Sequence, residues 1–417
     1  MPSSWLRQSA NRPLSCIRRA AGRIIYLLVA LLCAAPGLAE QSVRIKIANN
    51  VVLVPVRVND RDLSFLLDTG SDHSAIDDAR AQQLGLAEGG SIEILKDYRK
   101  QAAATAEIDS LAIGKQIFRR EVLTVVNLDS VSQALGSAVD GVLGTDILKG
   151  LTFKVDYAKQ ELVFGLLQEL GNVGTPIQLR RSGNEFFVPL RLMSIPTELL
   201  LDTGTNSTNL SWGTWQKLSE QWEPNTIVDG IVRAGFPTPP AFLVCLPKVA
   251  IGDTAISDQV VRVQRQVSSG AFAQDGFGGI LGSEFLRQFL VTFDLEHNSI
   301  FLKKIPEFKR DPYRYTTIGI QFAREAAGND YVVMGVWKNS PADESGIKPG
   351  DRIKAVNTVP VASFNSEQLS GELHRKEGTP ISLTIQRDSI SSVFTLRTRK
   401  MLCGPETASE SLHAAKH

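Results

Sequence analysis

Phe65-Leu66-Leu67-Asp68-Thr69-Gly70-Ser71 and Leu199-Leu200-Leu201-Asp202-Thr203-Gly204-Thr205 carry the decisive pattern: the same apolar run ends twice in the same polar turn. Three large apolar residues in a row read as a buried strand, so the carboxylate that follows sits at the edge of a core and is partly desolvated. The glycine has no Cβ, which lets backbone N–H groups approach a carboxylate, and the threonine hydroxyl can bond across to a partner loop.

Outward from these two turns, further landmarks repeat in the same order. Val54-Pro55-Val56-Arg57-Val58 and Val188-Pro189-Leu190-Arg191-Leu192 each begin 14 residues before their aspartate. Leu111-Ala112-Ile113-Gly114 is echoed by Val249-Ala250-Ile251-Gly252. Gly141-Val142-Leu143-Gly144 is echoed by Gly279-Ile280-Leu281-Gly282, with closing glycines 76 and 80 residues past the aspartates. Asp156 and Asp294 each stand 12 residues beyond those glycines. Collinear repetition at this scale marks a duplicated unit.

Most segments between landmarks are short, alternating or β-branched and punctuated by Gly, Pro, Asn and Asp, which predicts strands in both halves. Short helices are expected at Asp77 to Leu84, Thr214 to Gln221, Thr145 to Leu148 and Ser283 to Gln288. From about Lys304 to Tyr315 the chain turns polar with two prolines and the repeat ends, which places a boundary there.

Two carboxylates within hydrogen-bond distance cannot both ionise readily; they share a proton and titrate as a pair. One then serves as base toward a water, the other as acid toward a carbonyl oxygen.

These residues resemble the pepsin and retropepsin superfamily of aspartic proteases over roughly residues 43 to 303. The resemblance implies catalytic roles for Asp68 and Asp202, a cross-lobe hydrogen-bond grip by Thr69 and Thr203, and loop support by Gly70, Gly204, Gly144 and Gly282. Ser71 and Thr205 stand where acid-acting members place hydroxyls on the outer carboxylate oxygens, which implies an acidic optimum. Asp72 matches a substrate-backbone contact of retropepsins, and Tyr98, near the tip of a hairpin around Lys96 to Lys100, matches a flap residue. Val232 to Pro240 is its second-half counterpart. No cofactor and no metal are implied. Retropepsin subunits pair between chains, so pairing of Asp68 with a second chain's Asp68 is an alternative geometry.

Ser340-Pro341-Ala342 can start a helix, Gly346 can end it, and Lys348-Pro349-Gly350-Asp351 turns into a strand at Arg352 to Val356. This stretch resembles bacterial PDZ domains over roughly Tyr315 to Arg399. PDZ domains add an extended peptide as a strand and hold its carboxylate in backbone N–H groups. The resemblance implies that Ile318, Gly319 and Ile320 form that loop.

The expected fold is therefore mainly β: two retropepsin-like acid-protease β-barrel lobes at 40–170 and 171–304, then an α+β PDZ domain at 315–399 and a tail at 400–417. Residues 1–39 read as a signal peptide. Five arginines precede a 12-residue apolar run from Ile24 to Ala35, too short for the roughly 20 residues a membrane span needs. Export to the periplasm or secretion follows, with no membrane association unless the leader persists.

The 417-residue chain carries a formal charge of +1, but without the five leader arginines 40 bases face 44 acids. No basic patch interleaved with aromatics marks a nucleic-acid partner. The five histidines, the lack of His-Glu-x-x-His, Cys-x-x-Cys and Gly-x-Ser-x-Gly, and two cysteines past the leader, Cys245 and Cys403, support neither a zinc site nor a serine triad. Whether those two cysteines pair is open. Expected partners are polypeptide substrates and a peptide ligand of the PDZ domain. The rival reading is a catalytically silent protease-like scaffold acting as a PDZ adaptor.

Overall fold

The computed structural model describes residues 41–96, 99–224, 226–231, 241–306, 308–309, 311, 313–324 and 330–403. The expected leader, Tyr98, the stretch Val232 to Pro240 and the residues past Cys403 lie outside the described residues. Strands dominate, with a few short helices.

Each half is an eight-stranded sheet with the same strand order. In the first half the order is Lys46–Ala48, Val51–Val58, Arg61–Leu67, Gly141–Leu143, Ala75–Asp77, Gln116–Val126, Arg99–Ile113 and Glu88–Lys96. In the second it is Arg180–Ser182, Glu185–Leu192, Ile195–Leu201, Gly279–Leu281, Asn209–Leu210, Thr254–Gln264, Ala241–Ile251 and Ile227–Ile231. An additional pairing folds each sheet back on itself, Val58 opposite Leu111 in one half and Leu192 opposite Val249 in the other.

The repeated landmarks acquire structural reasons. Val54, Val56 and Val58 are buried while Pro55 and Arg57 are exposed; Val188, Leu190 and Leu192 repeat this against Pro189 and Arg191. Gly114 and Gly252 occupy hairpin turns at φ +59° and +52°, where a side chain would strain the backbone. Asp156 ends its strand by accepting the N–H groups of Ala158 and Lys159 at 3.1 and 2.9 Å.

A six-stranded sheet joins the halves. Its centre is the antiparallel pair Thr152–Asp156 and Phe289–Asp294, with Thr152 opposite Asp294 and Val155 opposite Val291. Phe153 and Phe293 stack across it at 4.7 Å between ring centroids, both fully buried. The core is continuous from one half into the other. Phe153→Ala should therefore cost about 3–5 kcal/mol, seen as a lower denaturant midpoint with both halves unfolding together.

The expected helices occur with adjusted ends. Asp77 caps Asp78–Gln83, its carboxylate accepting from Ala79 and Arg80. The helix expected to begin at Thr214 begins at Trp212, because the Ser211 hydroxyl caps it by accepting from the Thr214 N–H, and it ends at Ser219. Thr145–Leu148 matches expectation, and its counterpart is shorter than expected, Ser283–Leu286.

The C-terminal module pairs Ile320–Arg324, Tyr331–Val336, Arg352–Val356, Pro380–Arg387 and Ile390–Arg397 in order, with the helices Pro341–Glu344 and Ser366–Leu373. Ser340 caps the first helix as expected, and Gly346 follows it at φ +77°. Residues 400–403, which the sequence places in the tail, are held against the structured chain. Lys400 pairs with Thr316, Met401 and Leu402 are buried, and Cys403 forms a disulfide with Cys245, which answers the pairing question left open by sequence.

Candidate active site

Asp68 and Asp202 each leave a buried strand by the same route. The short strand Gly141–Leu143 runs parallel to Arg61–Leu67, and Leu143 accepts the Asp68 N–H at 3.0 Å. Gly279–Leu281 does the same for Ile195–Leu201, and Leu281 accepts the Asp202 N–H at 3.1 Å. The three-residue apolar run thus ends where a second strand pins the aspartate backbone, and the chain turns at Gly70 and Gly204.

The two turns interlock within one chain. Thr69 Oγ1 donates to the Leu201 carbonyl at 2.8 Å and accepts the Thr203 N–H at 3.1 Å. Thr203 Oγ1 donates to the Leu67 carbonyl at 2.8 Å and accepts the Thr69 N–H at 3.1 Å. Both threonines are buried, and each backbone group here is paired with the opposite lobe. Thr203→Val, which removes the donor while keeping the shape, should cost about 1–3 kcal/mol by orphaning the Leu67 carbonyl and the Thr69 N–H, measurable as a fall in the thermal midpoint.

The glycines show how tightly the turns face each other. A Cβ on Gly70 would lie 2.5 Å from Asp202 Cγ, and one on Gly204 would lie 2.7 Å from Asp68 Oδ1. Each glycine therefore backs the carboxylate of the other half. Gly144 and Gly282 support the loops from behind: a Cβ there would meet the His73 backbone at 2.6 Å and the Thr205 carbonyl oxygen at 2.9 Å.

The carboxylates are held differently. Asp68 Oδ1 accepts the Gly70 N–H at 2.9 Å. Asp202 Oδ1 accepts the Thr205 N–H at 2.8 Å, and its Oδ2 accepts the Thr205 hydroxyl at 2.7 Å. The Ser71 hydroxyl, expected on the Asp68 carboxylate, instead donates to the His73 carbonyl at 2.8 Å. The His73 carbonyl, two residues on, lies within reach, and the hydroxyl closes a local turn. Burial pushes the Asp68 carboxyl well above the ordinary range, and the neighbouring Asp202 charge pushes it further. Burial raises Asp202 as well, but the Thr205 bonds pull against that rise.

Supporting residues that the sequence reading passed over follow each closing glycine. Asp146 accepts the Ser74 N–H at 2.8 Å and the Ser74 hydroxyl at 2.6 Å, while the Thr145 N–H donates to the Ser71 carbonyl at 2.8 Å. In the second half the Ser283 N–H donates to the Thr205 carbonyl and its hydroxyl to the Thr203 carbonyl, both at 2.8 Å. The repeat held the signal: Thr145-Asp146 and Ser283-Glu284 occupy matching places.

Asp72 is exposed, 3.7 Å from His73 Nε2, and its charge, after burial, helps raise the Glu185 carboxyl. The expected hairpin is present, Glu88–Lys96 pairing with Arg99–Ile113 as far as Lys96 opposite Arg99, while Tyr98 lies outside the described residues. The Ile318 and Ile320 side chains are buried in the module's core, so only backbone there can meet a ligand. Gly319 sits at φ +85°, and its N–H donates to Thr317 Oγ1 at 3.2 Å. Among the described residues, no group of three or more His, Cys, Asp and Glu could hold a metal ion.

Residues 54–147 match the aspartyl protease family model, and residues 316–398 match the PDZ domain model. A curated protein named "Probable CtpA-like serine protease", from Staphylococcus saprophyticus, is 23% identical over 146 residues. That stretch is 34% of this chain and 30% of the relative, so the chain spans less than a third of the relative's length.

Proposed function

We propose, for a chain that carries an aspartyl-protease domain and a PDZ domain, that it is an aspartic endopeptidase whose single site is built by Asp68 and Asp202. The observation that carries this reading is the reciprocal threonine grip, which brings two desolvated carboxylates face to face within one chain.

Asp202, with two bonds from Thr205, is the partner better suited to ionisation; Asp68, raised by burial and by Asp202, keeps the shared proton. A water between them gives a proton to Asp202 as its oxygen attacks the peptide carbonyl carbon, and Asp68 protonates the carbonyl oxygen. The tetrahedral diol then collapses. Asp202 passes its proton to the amide nitrogen, the C–N bond breaks, and a diol hydroxyl returns a proton to Asp68. An acid and an amine leave, and the dyad is restored.

Such a pair is active only when singly protonated, so the rate should rise and fall with pH as a bell. Cleavage of an unfolded protein should peak on the acid side of neutrality, be blocked by the statine peptide pepstatin, and be indifferent to a serine-directed sulfonyl fluoride. Block by the sulfonyl fluoride with indifference to pepstatin would overturn this reading and favour the chemistry named for the staphylococcal relative. An inert wild type whose PDZ domain binds peptides would favour the adaptor instead. The PDZ domain, through the backbone at Ile318 to Ile320, would hold polypeptide segments near the cleft of an exported enzyme.

A further inference from the structure

The two halves support their aspartate loops unequally. In the first, Asp146 turns inward and holds Ser74 by two bonds, and the Ser74 hydroxyl in turn accepts the Gly144 N–H at 2.9 Å. In the second, the matching pair is Thr208 and Glu284. Thr208 Oγ1 accepts the Gly282 N–H at a longer 3.4 Å. Glu284 turns outward: its Oε1 accepts the Tyr315 hydroxyl at 2.9 Å and faces Arg314 Nε at 3.4 Å. Glu284 follows Ser283 directly, and Ser283 carries the two bonds to Thr203 and Thr205 that hold the Asp202 turn.

Tyr315 is itself fixed by the C-terminal module. Its carbonyl accepts the Met401 N–H at 2.7 Å, the next two residues pair with Arg399–Lys400, and its ring packs on a cluster of Val228, Val260, Trp337, Met401 and Leu402. The Cys245–Cys403 disulfide ties that cluster to the second half. Burial and the Glu284 charge push the Tyr315 hydroxyl's pKa up, so it remains a donor throughout the working range.

We propose that Tyr315 and Arg314, at the entry to the PDZ domain, are positioning residues for the Asp202 half of the dyad, acting through Glu284 and Ser283. The module thereby replaces the inward hold that Asp146 provides in the first half. It is part of the catalytic support as well as a carrier of peptide. This rests on the aspartic-peptidase reading for its kinetic consequence but not for its structural one.

Tyr315→Phe keeps the ring in its cluster and removes the donor. In the full chain it should lower kcat about tenfold, leave KM unchanged and move the acid limb of the kcat profile. Independently of activity, hydrogen exchange should quicken at the Thr205 and Ser283 amides and not at Ser71 and Thr145. Glu284→Gln, which keeps an acceptor for Tyr315 but loses the charge beside Arg314, should fall between wild type and Tyr315→Phe. Exchange that is unchanged, or that quickens equally in both halves, would overturn the proposal, as would a kcat and pH profile identical to wild type. An inactive wild type would count against the peptidase reading while the exchange comparison still decided this one.

Discussion

Asp68→Asn is expected to abolish cleavage and, at neutral pH, to make the fold more stable. The activity loss follows from removing the proton the pair shares; general acid–base catalysis contributes about 10²–10⁴-fold, and the variant should lose at least that. The stability gain follows from burial. Asp68 titrates well above its unfolded value of about 3.9. Between those two values the folded chain holds a proton that the unfolded chain has released, so stability falls as pH rises through that window and stays lower above it. Each pH unit between the two titrations is worth about 1.4 kcal/mol. Asparagine has no proton to lose, and its side chain can still accept the Gly70 N–H. Thermal midpoints of wild type and variant should be closest in acid and diverge toward neutrality, with the variant higher. A variant that is relatively less stable at neutral pH than in acid would refute the assigned direction.

The second large effect is expected at Gly204. Its φ lies in an ordinary region, so backbone freedom is not the reason for glycine here; space is. Gly204→Ala would drive a methyl group into the Asp68 carboxylate, and the rigid grip of Thr69 and Thr203 leaves the turn little room to retreat. Overpacking of this kind costs about 1–3 kcal/mol. Displacing a reacting group by about 1 Å costs roughly 10²-fold in rate. Gly204→Ala and Gly70→Ala should therefore each lose activity by at least that factor while remaining folded. Wild-type rates in either would mean that the two turns stand further apart than described. Gly85→Ala offers a contrast, since it has positive φ but nothing within 4 Å, and it should affect stability alone.

The strands and the aspartate turns were legible because each rests on local chemistry. Apolar runs of fixed length, prolines at exposed strand positions and glycines at positive φ constrain the backbone wherever they occur. The duplication made them legible twice, and Asp146 and Glu284 stood at matching places for the same reason. Their opposite orientations were not legible, because the group that Glu284 meets is the Tyr315 hydroxyl, 31 residues further along and part of no repeat. The Ser71 hydroxyl shows the same limit on a smaller scale. A rotor chooses between acceptors only once the His73 carbonyl and the carboxylate have both been placed. Pairing of Cys245 with Cys403, across 158 residues, depends on where the C-terminal module docks. The start of the helix at Trp212 turned on one serine hydroxyl, which the apolar pattern alone did not weigh.

The proposed dyad takes one carboxylate from each half of one chain. The most direct test is cleavage of an unfolded protein by Asp68→Asn, by Asp202→Asn and by an equimolar mixture of the two. Each variant should be inactive and mixing should restore nothing, because the central Thr152–Asp156 and Phe289–Asp294 pairing joins the halves within a chain. Wild-type activity in Asp202→Asn, or recovery on mixing, would contradict it and place the site between chains.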